Sequence, residues 1–226
     1  MDPLRELLTG RGAAWVGCAD LTVLPPDVRE GLPRGVCIVV TLDPAIIGGI
    51  AAGPTLEYYV HYRRANDLLN SLASAAASFL QEQGSRAVPQ AATDVGIDPA
   101  THSTRLPHKT VATRAGLGWI GKCALLVTEQ WGSALRLTTV LTDADLPTGE
   151  PVTESRCGHC VVCVEVCPGH APSGREWEVG LERDAFFDAH ACRAGARALA
   201  ARAGISETVC GLCIAACPWT QGYVRA

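Results

Sequence analysis

The sequence has no run of about 18 or more apolar residues, so no transmembrane helix is expected, although 48% of its 226 residues are hydrophobic. The opening MDPLRELLTGRGAAWVGCADL mixes charged and apolar residues within its first ten positions. It has neither a long apolar segment nor a small-residue cleavage site, which argues against a signal peptide. No cluster of Lys and Arg stands out, and the formal net charge is −4. Strong sequence-independent grip on a nucleic-acid backbone usually needs such a cluster. Repeats and low-complexity tracts are also missing; the Ala-rich AGARALAARAG reads as an ordinary helix. The expectation is a soluble, cytoplasmic chain, long enough for one large domain or two small ones.

Cysteine is plentiful. Eleven are present, many for a cytosolic chain in which disulfides are rare. Cys18, Cys37 and Cys123 are scattered, while the other eight lie between Cys157 and Cys217. That concentration argues for metal. CGHCVVCVEVCP places Cys157, Cys160, Cys163 and Cys167 before Pro168, the C-x2-C-x2-C-x3-C-P run of bacterial ferredoxins. In two-cluster ferredoxins the first three thiolates wrap one cubane and the fourth ligates the other. CGLCIAACP, with Cys210, Cys213 and Cys217, supplies the second motif. By the same crossing rule Cys157, Cys160 and Cys163 take Cys217. Cys167, Cys210 and Cys213 then need one more ligand, and Cys192 is the cysteine left in this region. The count closes at two [4Fe–4S] clusters. Paired four-cysteine zinc sites also use C-x2-C units, but they do not need this longer run. His159 and His170 lie inside the motifs and read as exposed loop residues, because the thiolate count is already complete.

The loop-like stretch Thr142 to Ser155 divides the chain into residues 1–150 and 151–226. The first part reads as α/β. Arg34 to Leu42 has the composition of a buried strand. Thr55 to Gln83 carries a repeating apolar face from Leu56 and Val60 to Leu80, with Gly84 as its stop. Cys123–Thr128 and Ser133–Thr142 read as paired strands joined by a turn at Glu129–Gly132. A further helix is expected over Arg183 to Ala203. Tyr58, Tyr59, Tyr62, Arg63 and Arg64 begin the long helix and either line a pocket or form a solvated face.

The densest stretch is LPHKTVATRAGLGWIGKCALLVT, Leu106 to Thr128. Pro107 can open a helix, Arg114 falls in its last turn, and Gly116, Gly118 and Gly121 break it. Glycines around Trp119 allow close backbone approach to a bound group; a tight structural turn explains them as well. This is not a dinucleotide fingerprint, which should follow a strand and open a helix. Lys122 and Cys123 close the turn, and Cys123 reads either as a buried residue beginning a strand or as a reactive thiol.

RAGLGWIGKCALLVT, LTTVLTD and the paired cysteine motifs ending in CPWTQ together resemble the epoxyqueuosine reductase family, over roughly Leu106 to Thr220. The resemblance implies a nitroreductase-like α/β domain followed by a bacterial-type two-[4Fe–4S] ferredoxin domain. It also implies a base-off cobalamin held near Arg114, Gly116, Gly118, Trp119, Gly121, Lys122 and Cys123. Reductive dehalogenases share that architecture. Low-potential clusters are suitable donors to such a cofactor, whose chemistry the protein orients and keeps dry. The chain has no D-x-H-x-x-G segment, the cobalamin signature of a different fold.

The family's proton-donating aspartate precedes the AGLGW block, and here that position falls near His102. His102, His108 and Lys109 are therefore the candidates for acid–base work. A surface-loop role for His102 and a helix-capping or packing role for His108 are the plainer alternatives. The missing aspartate, the stop nine residues after Cys217 and the acidic balance lead to the expectation that tRNA is not the substrate. The expected partners are a small-molecule substrate and a low-potential electron donor of ferredoxin or flavodoxin type, with no membrane. The alternative is a ferredoxin-like electron-transfer protein without its own catalytic site.

Overall fold

A computed structural model describes residues 1–93 and 96–226. The chain begins with helix α1 (Asp2–Thr9) and strand β1 (Trp15–Asp20). Strand β2 (Arg34–Thr41) follows, then the short α2 (Pro44–Gly48) and the long α3 (Leu56–Glu82). Next come β3 (Ala87–Pro89), α4 (His108–Arg114), β4 (Trp119–Ile120), β5 (Leu126–Val127) and β6 (Leu135–Thr142). The cysteine-rich part holds α5 (Val162–Glu165), a 3-10 turn at Arg183–Ala185, α6 (Ala189–Arg202), α7 (Leu212–Ala216) and α8 (Pro218–Arg225). No helix among the described residues is long and apolar enough to cross a membrane.

The fold is mixed α/β with antiparallel sheets. The main sheet runs β1-β2-β6-β3, every neighbouring pair antiparallel. Side chains alternate across a strand, and β2 uses both of its faces. Val36, Ile38 and Val40 join the core that holds α1 and α3, while Cys37 and Val39 join a second core under α4. That is why RGVCIVVT is apolar without alternation. On α3, Ala65, Leu69, Leu72, Ala76 and Leu80 form the buried stripe, at helical spacing. Thr55 caps the start by accepting from the Tyr58 N–H at 3.1 Å. Gly84, at φ +85°, ends the helix, a left-handed position that suits glycine.

Three sequence expectations change. Leu56 and Val60 are exposed rather than on the buried face, because the stripe begins at Tyr58. β5 and β6 do not pair with each other. The Thr128–Gly132 turn closes as expected, with Thr128 N–H donating to Gly132 O at 2.8 Å. Beyond it, β5 pairs with β4 in a separate two-stranded sheet and β6 is taken by β2 and β3. The single helix over Arg183–Ala203 is two elements, because Asp188 caps α6 by accepting from the Ala191 N–H at 2.9 Å.

Residues 143–154 form no regular helix or strand but are tied down. Gly149 N–H donates to Cys18 O, and Val152 N–H to Thr113 O, both at 2.9 Å. The C-terminal helix returns to the α/β part. Tyr223 Oη donates to Leu42 O at 3.1 Å, and Thr220 Oγ1 accepts from the Ser133 N–H at 3.0 Å.

Candidate functional site

The eight clustered cysteines surround two small cavities. One, about 100 Å³, is lined by Cys157, Cys160, Cys163 and Cys217, together with Gly121 and Lys122. The other, about 90 Å³, is lined by Cys167, Cys192, Cys210 and Cys213, together with Pro168 and Leu212. Cys213 also reaches the first cavity, and Cys123 reaches both. The sulfurs surround open space instead of converging. Among the described residues no three His, Cys, Asp or Glu side chains are placed to hold a single ion.

Local backbone rules bring these cysteines together. Cys192 lies in the first turn of α6, and its N–H donates to Asp188 O at 3.1 Å. The chain after Cys167 lies against that helix. A Cβ on Gly169 would meet Ala191 O at 2.2 Å, and one on Gly195 would meet Gly169 N at 2.8 Å. Two facing glycines thus allow the approach that places Cys167 beside Cys192. His159 and His170 are exposed.

Lys122 anchors the first cavity from the α/β side. It is 4% exposed, and its Nζ donates to Gly158 O at 2.6 Å and Cys160 O at 3.1 Å. A buried ammonium needs such partners. Trp119 is 1% exposed and packs in one layer with Phe186, Cys157 and Cys217; its Nε1–H has no partner. Trp219 meets it edge-on at 5.3 Å, and Arg156 lies 5.5 Å over its ring. Cys123, 5% exposed, sits against Cys163 and Cys213. Contact with Cys163 draws its thiol pKa down, but contact with Cys213 and burial carry it well above the usual range.

A wider cleft opens beside the second cavity. One lobe, about 440 Å³, is bordered by His102, Lys109, Arg183, Arg193, Cys192 and Cys213. The other, about 250 Å³, is bordered by Tyr58, Thr104, His108, Lys109 and Arg136. Lys109, Leu125 and Ile214 belong to both. Lys109 Nζ donates to Ala124 O at 2.6 Å, and burial pushes its pKa down to about 8. His108 is committed on both ring nitrogens, at 2.9 Å to Thr139 Oγ1 through Nδ1 and 2.9 Å to Ala91 O through Nε2. Facing a carbonyl, Nε2 carries the proton. Burial, aided by Arg136 and opposed by the bond to Ala91, holds its pKa below the usual value. His102 stands at the rim with φ +52° and packs against His190, the ring centroids 4.5 Å apart and the planes tilted by 47°. Partial burial and then the charges of His190, Arg193 and Arg183 lower its pKa.

The other glycine-turn residues lie elsewhere. Arg114 turns back to the sheet, its Nε donating to Asp20 O at 2.6 Å. A Cβ on Gly116 would meet Glu150 O at 2.7 Å, and one on Gly118 would meet Val127 O at 2.1 Å. The chain itself occupies the side on which a Cβ would stand, and Gly116 and Gly118 also border, with Trp119, Glu129 and Arg156, a separate cavity of about 170 Å³. Only Gly121, Lys122 and Cys123 of that set reach a cysteine cavity. Arg136 is a cleft residue that sequence reading missed. It lies 4.4 Å over the Tyr62 ring and its Nε donates to Asn66 Oδ1 at 2.9 Å; an arginine within a strand pattern carries no motif to mark it. Tyr59 and Arg63 hold Glu207, at 2.6 Å and 2.7 Å, and so tie α3 to the cysteine-rich part.

An antiparallel α/β sheet joined to a unit of paired cysteine cavities gives this chain the mixed fold of the epoxyqueuosine reductases and reductive dehalogenases. A catabolic reductive dehalogenase, NpRdhA, superposes with a TM-score of 0.74 at 16% identity, covering 98% of this chain and 32% of that one. An epoxyqueuosine reductase solved with a tRNA-Tyr epoxyqueuosine-modified stem loop superposes with a TM-score of 0.66 at 17% identity, covering 98% and 65%. In sequence the chain is similar to the epoxyqueuosine reductase of Salmonella typhimurium, 30% identical over 146 residues. That match takes in 64% of this chain and 36% of the relative, so the chain spans about a third of the curated protein it matches. The resemblance to the epoxyqueuosine reductases holds. No family model matches.

One expectation is overturned. The exclusion of tRNA does not stand, because a structure sharing this fold was solved with a tRNA stem loop. A net charge averaged over the chain was a poor guide to one surface, since local charge and not the total meets a nucleic acid. Arg183 and Arg193 border the cleft although the chain as a whole is acidic.

Proposed function

We propose that this chain is an iron–sulfur reductase of the epoxyqueuosine reductase type, acting at the cleft on a modified nucleoside carried by tRNA. The observation that supports this most is the division of eight cysteines between two cavities beside one cleft. Cys157, Cys160, Cys163 and Cys217 would hold one [4Fe–4S] cluster, and Cys167, Cys192, Cys210 and Cys213 the other. The spread of sulfurs around open space suits a multi-atom group better than a lone ion. In this reading residues 1–150 are the nitroreductase-like α/β domain and 151–226 the two-cluster ferredoxin domain. We place it in the cytoplasm, where thiols remain reduced and free for metal.

The cleft beside Cys192, Cys210 and Cys213 suits a large flat cofactor, with Lys109, Leu125 and Ile214 shared between its lobes. A cobalamin bound there would supply a low-potential cobalt nucleophile, fed by clusters suited to that potential. The chain's own residues orient and protonate. Lys109 Nζ holds the proton best placed for transfer, since near pH 7 its ammonium is mostly charged yet weakened as a base. His108 orients the start of α4, both nitrogens being occupied. Arg193 at the rim would meet phosphate, Arg183 being paired with Asp184 and bonded to the Thr101 and His102 carbonyls, and the apolar wall of Leu125 and Ile214 would exclude water. The cleft is the feature an electron-transfer protein without a catalytic site would not need.

Anaerobic reconstitution with iron, sulfide and cobalamin tests this. The expected product carries about eight iron atoms and bound base-off corrinoid, and with a chemical reductant it converts an epoxyqueuosine-bearing stem loop. Iron without retained corrinoid, or loaded protein inert toward the stem loop, overturns it.

A further inference from the structure

Cys123 lies outside the eight-cysteine set, yet it borders both cysteine cavities and the wider cleft lobe. It touches Cys163 from the first set and Cys213 from the second. A Cβ on Gly121 would lie 3.5 Å from Cys157 Sγ and 3.6 Å from Cys123 Sγ, so the glycine turn presses this thiol toward the first motif as well. Position is enforced on both sides. Lys122 is anchored to the Gly158 and Cys160 carbonyls, and Ala124, at φ +58°, gives its carbonyl to Lys109. Ala124 N–H donates to Gly121 O at 2.8 Å, closing the turn around the thiol. A buried S–H is a weak donor, and thiolates and inorganic sulfides are acceptors. Hydrogen bonds to cluster sulfurs are among the factors that set cluster potentials.

We propose that Cys123 is a positioning residue between the two clusters, whose S–H donates to cluster sulfur and raises the potential of at least one cluster without ligating iron. This rests on the two-cluster reading above. The donor favours the more negative, reduced cluster, so its removal makes reduction harder. Its sulfur, contributed by the α/β part, borders both cysteine cavities and would lie beside both clusters if each held one.

The test is redox titration of reconstituted wild type, Cys123→Ala and Cys123→Ser, followed by electron paramagnetic resonance, with iron counted in each. The expected outcome is equal iron in all three, a lower midpoint potential in Cys123→Ala, and a return toward wild type in Cys123→Ser, which keeps a donor. Equal potentials in all three overturn the proposal. Loss of about half the iron in both variants overturns it too, by making Cys123 a ligand. Wild type that takes up no paired clusters removes the functional reading and this inference together, whereas paired clusters with unchanged potentials remove this inference alone.

Discussion

Gly132 lies so close to Thr220 that a Cβ on the glycine would stand 2.2 Å from the threonine nitrogen. Its φ of +56° is also left-handed. The residue after it, Ser133, donates its N–H to Thr220 Oγ1, so the β5–β6 turn clasps the start of α8. Gly132→Ala has neither the space nor the backbone freedom, and is expected to cost about 2–4 kcal/mol. Thr220→Val, which leaves one buried N–H unpaired, should cost about 1–3 kcal/mol. Denaturant unfolding of the two variants measures both, and a Gly132→Ala protein as stable as wild type would refute the clasp.

Lys122→Met removes the tie between the glycine turn and the Gly158–Cys160 loop. Two carbonyls lose their donor while the methionine fills the same space. Iron and sulfide analysis should show the cluster of Cys157, Cys160, Cys163 and Cys217 depleted first, with the second retained. Equal loss from both sites would contradict a local role.

Cys192→Ala and Cys217→Ala should each reduce iron by about half, from different clusters. The two variants are expected to give distinguishable resonance spectra, each missing the signal the other keeps. Unchanged iron in Cys192→Ala would refute its assignment as the fourth ligand.

Lys109 has a folded pKa near 8, against 10.5 in an ordinary environment. As pH rises from about 8 to 10.5 the unfolded chain keeps a proton the folded chain has released, so this group makes folding more favourable with pH over that window. Wild type should therefore gain on Lys109→Met by on the order of 2 kcal/mol across it, discounted from the full shift because the residue is partly exposed. Activity moves the other way. It should fall as pH passes about 8 and the ammonium is lost, and Lys109→Met should be slow at every pH. Parallel pH profiles for variant and wild type would remove Lys109 as the proton source.

What could be read from the sequence divides along physical lines. Cysteine spacing, the β2 run and the α3 periodicity are local signals, and each marks its element. Partner choice between strands is not local. β5 and β6 look like a hairpin because a good turn joins them, yet β6 is held by eight cross-strand positions with β2, which outweigh one turn. β1, β3 and β4 went unread because each is short or interrupted by Gly and Pro. At the site, the glycines around Trp119 carried a double meaning, and only the neighbouring chain at Glu150 and Val127 reveals the close packing that Gly116 and Gly118 allow. Arg136, Arg183 and Arg193 reach the cleft through tertiary placement, which no spacing rule encodes.

The sequence holds two lysines, Lys109 and Lys122, and both amines are turned inward onto carbonyl oxygens. Positive charge on the outer surface is thus left to arginine. Amine-directed reagents that enter the cleft would find Lys109 at its wall, whereas acylation of the buried Lys122 would report the moment its loop lets go. The same inward placement puts Lys122 out of reach of lysine acylation by cellular metabolites unless the site opens, which makes its chemical silence a built-in gauge of an intact cysteine unit.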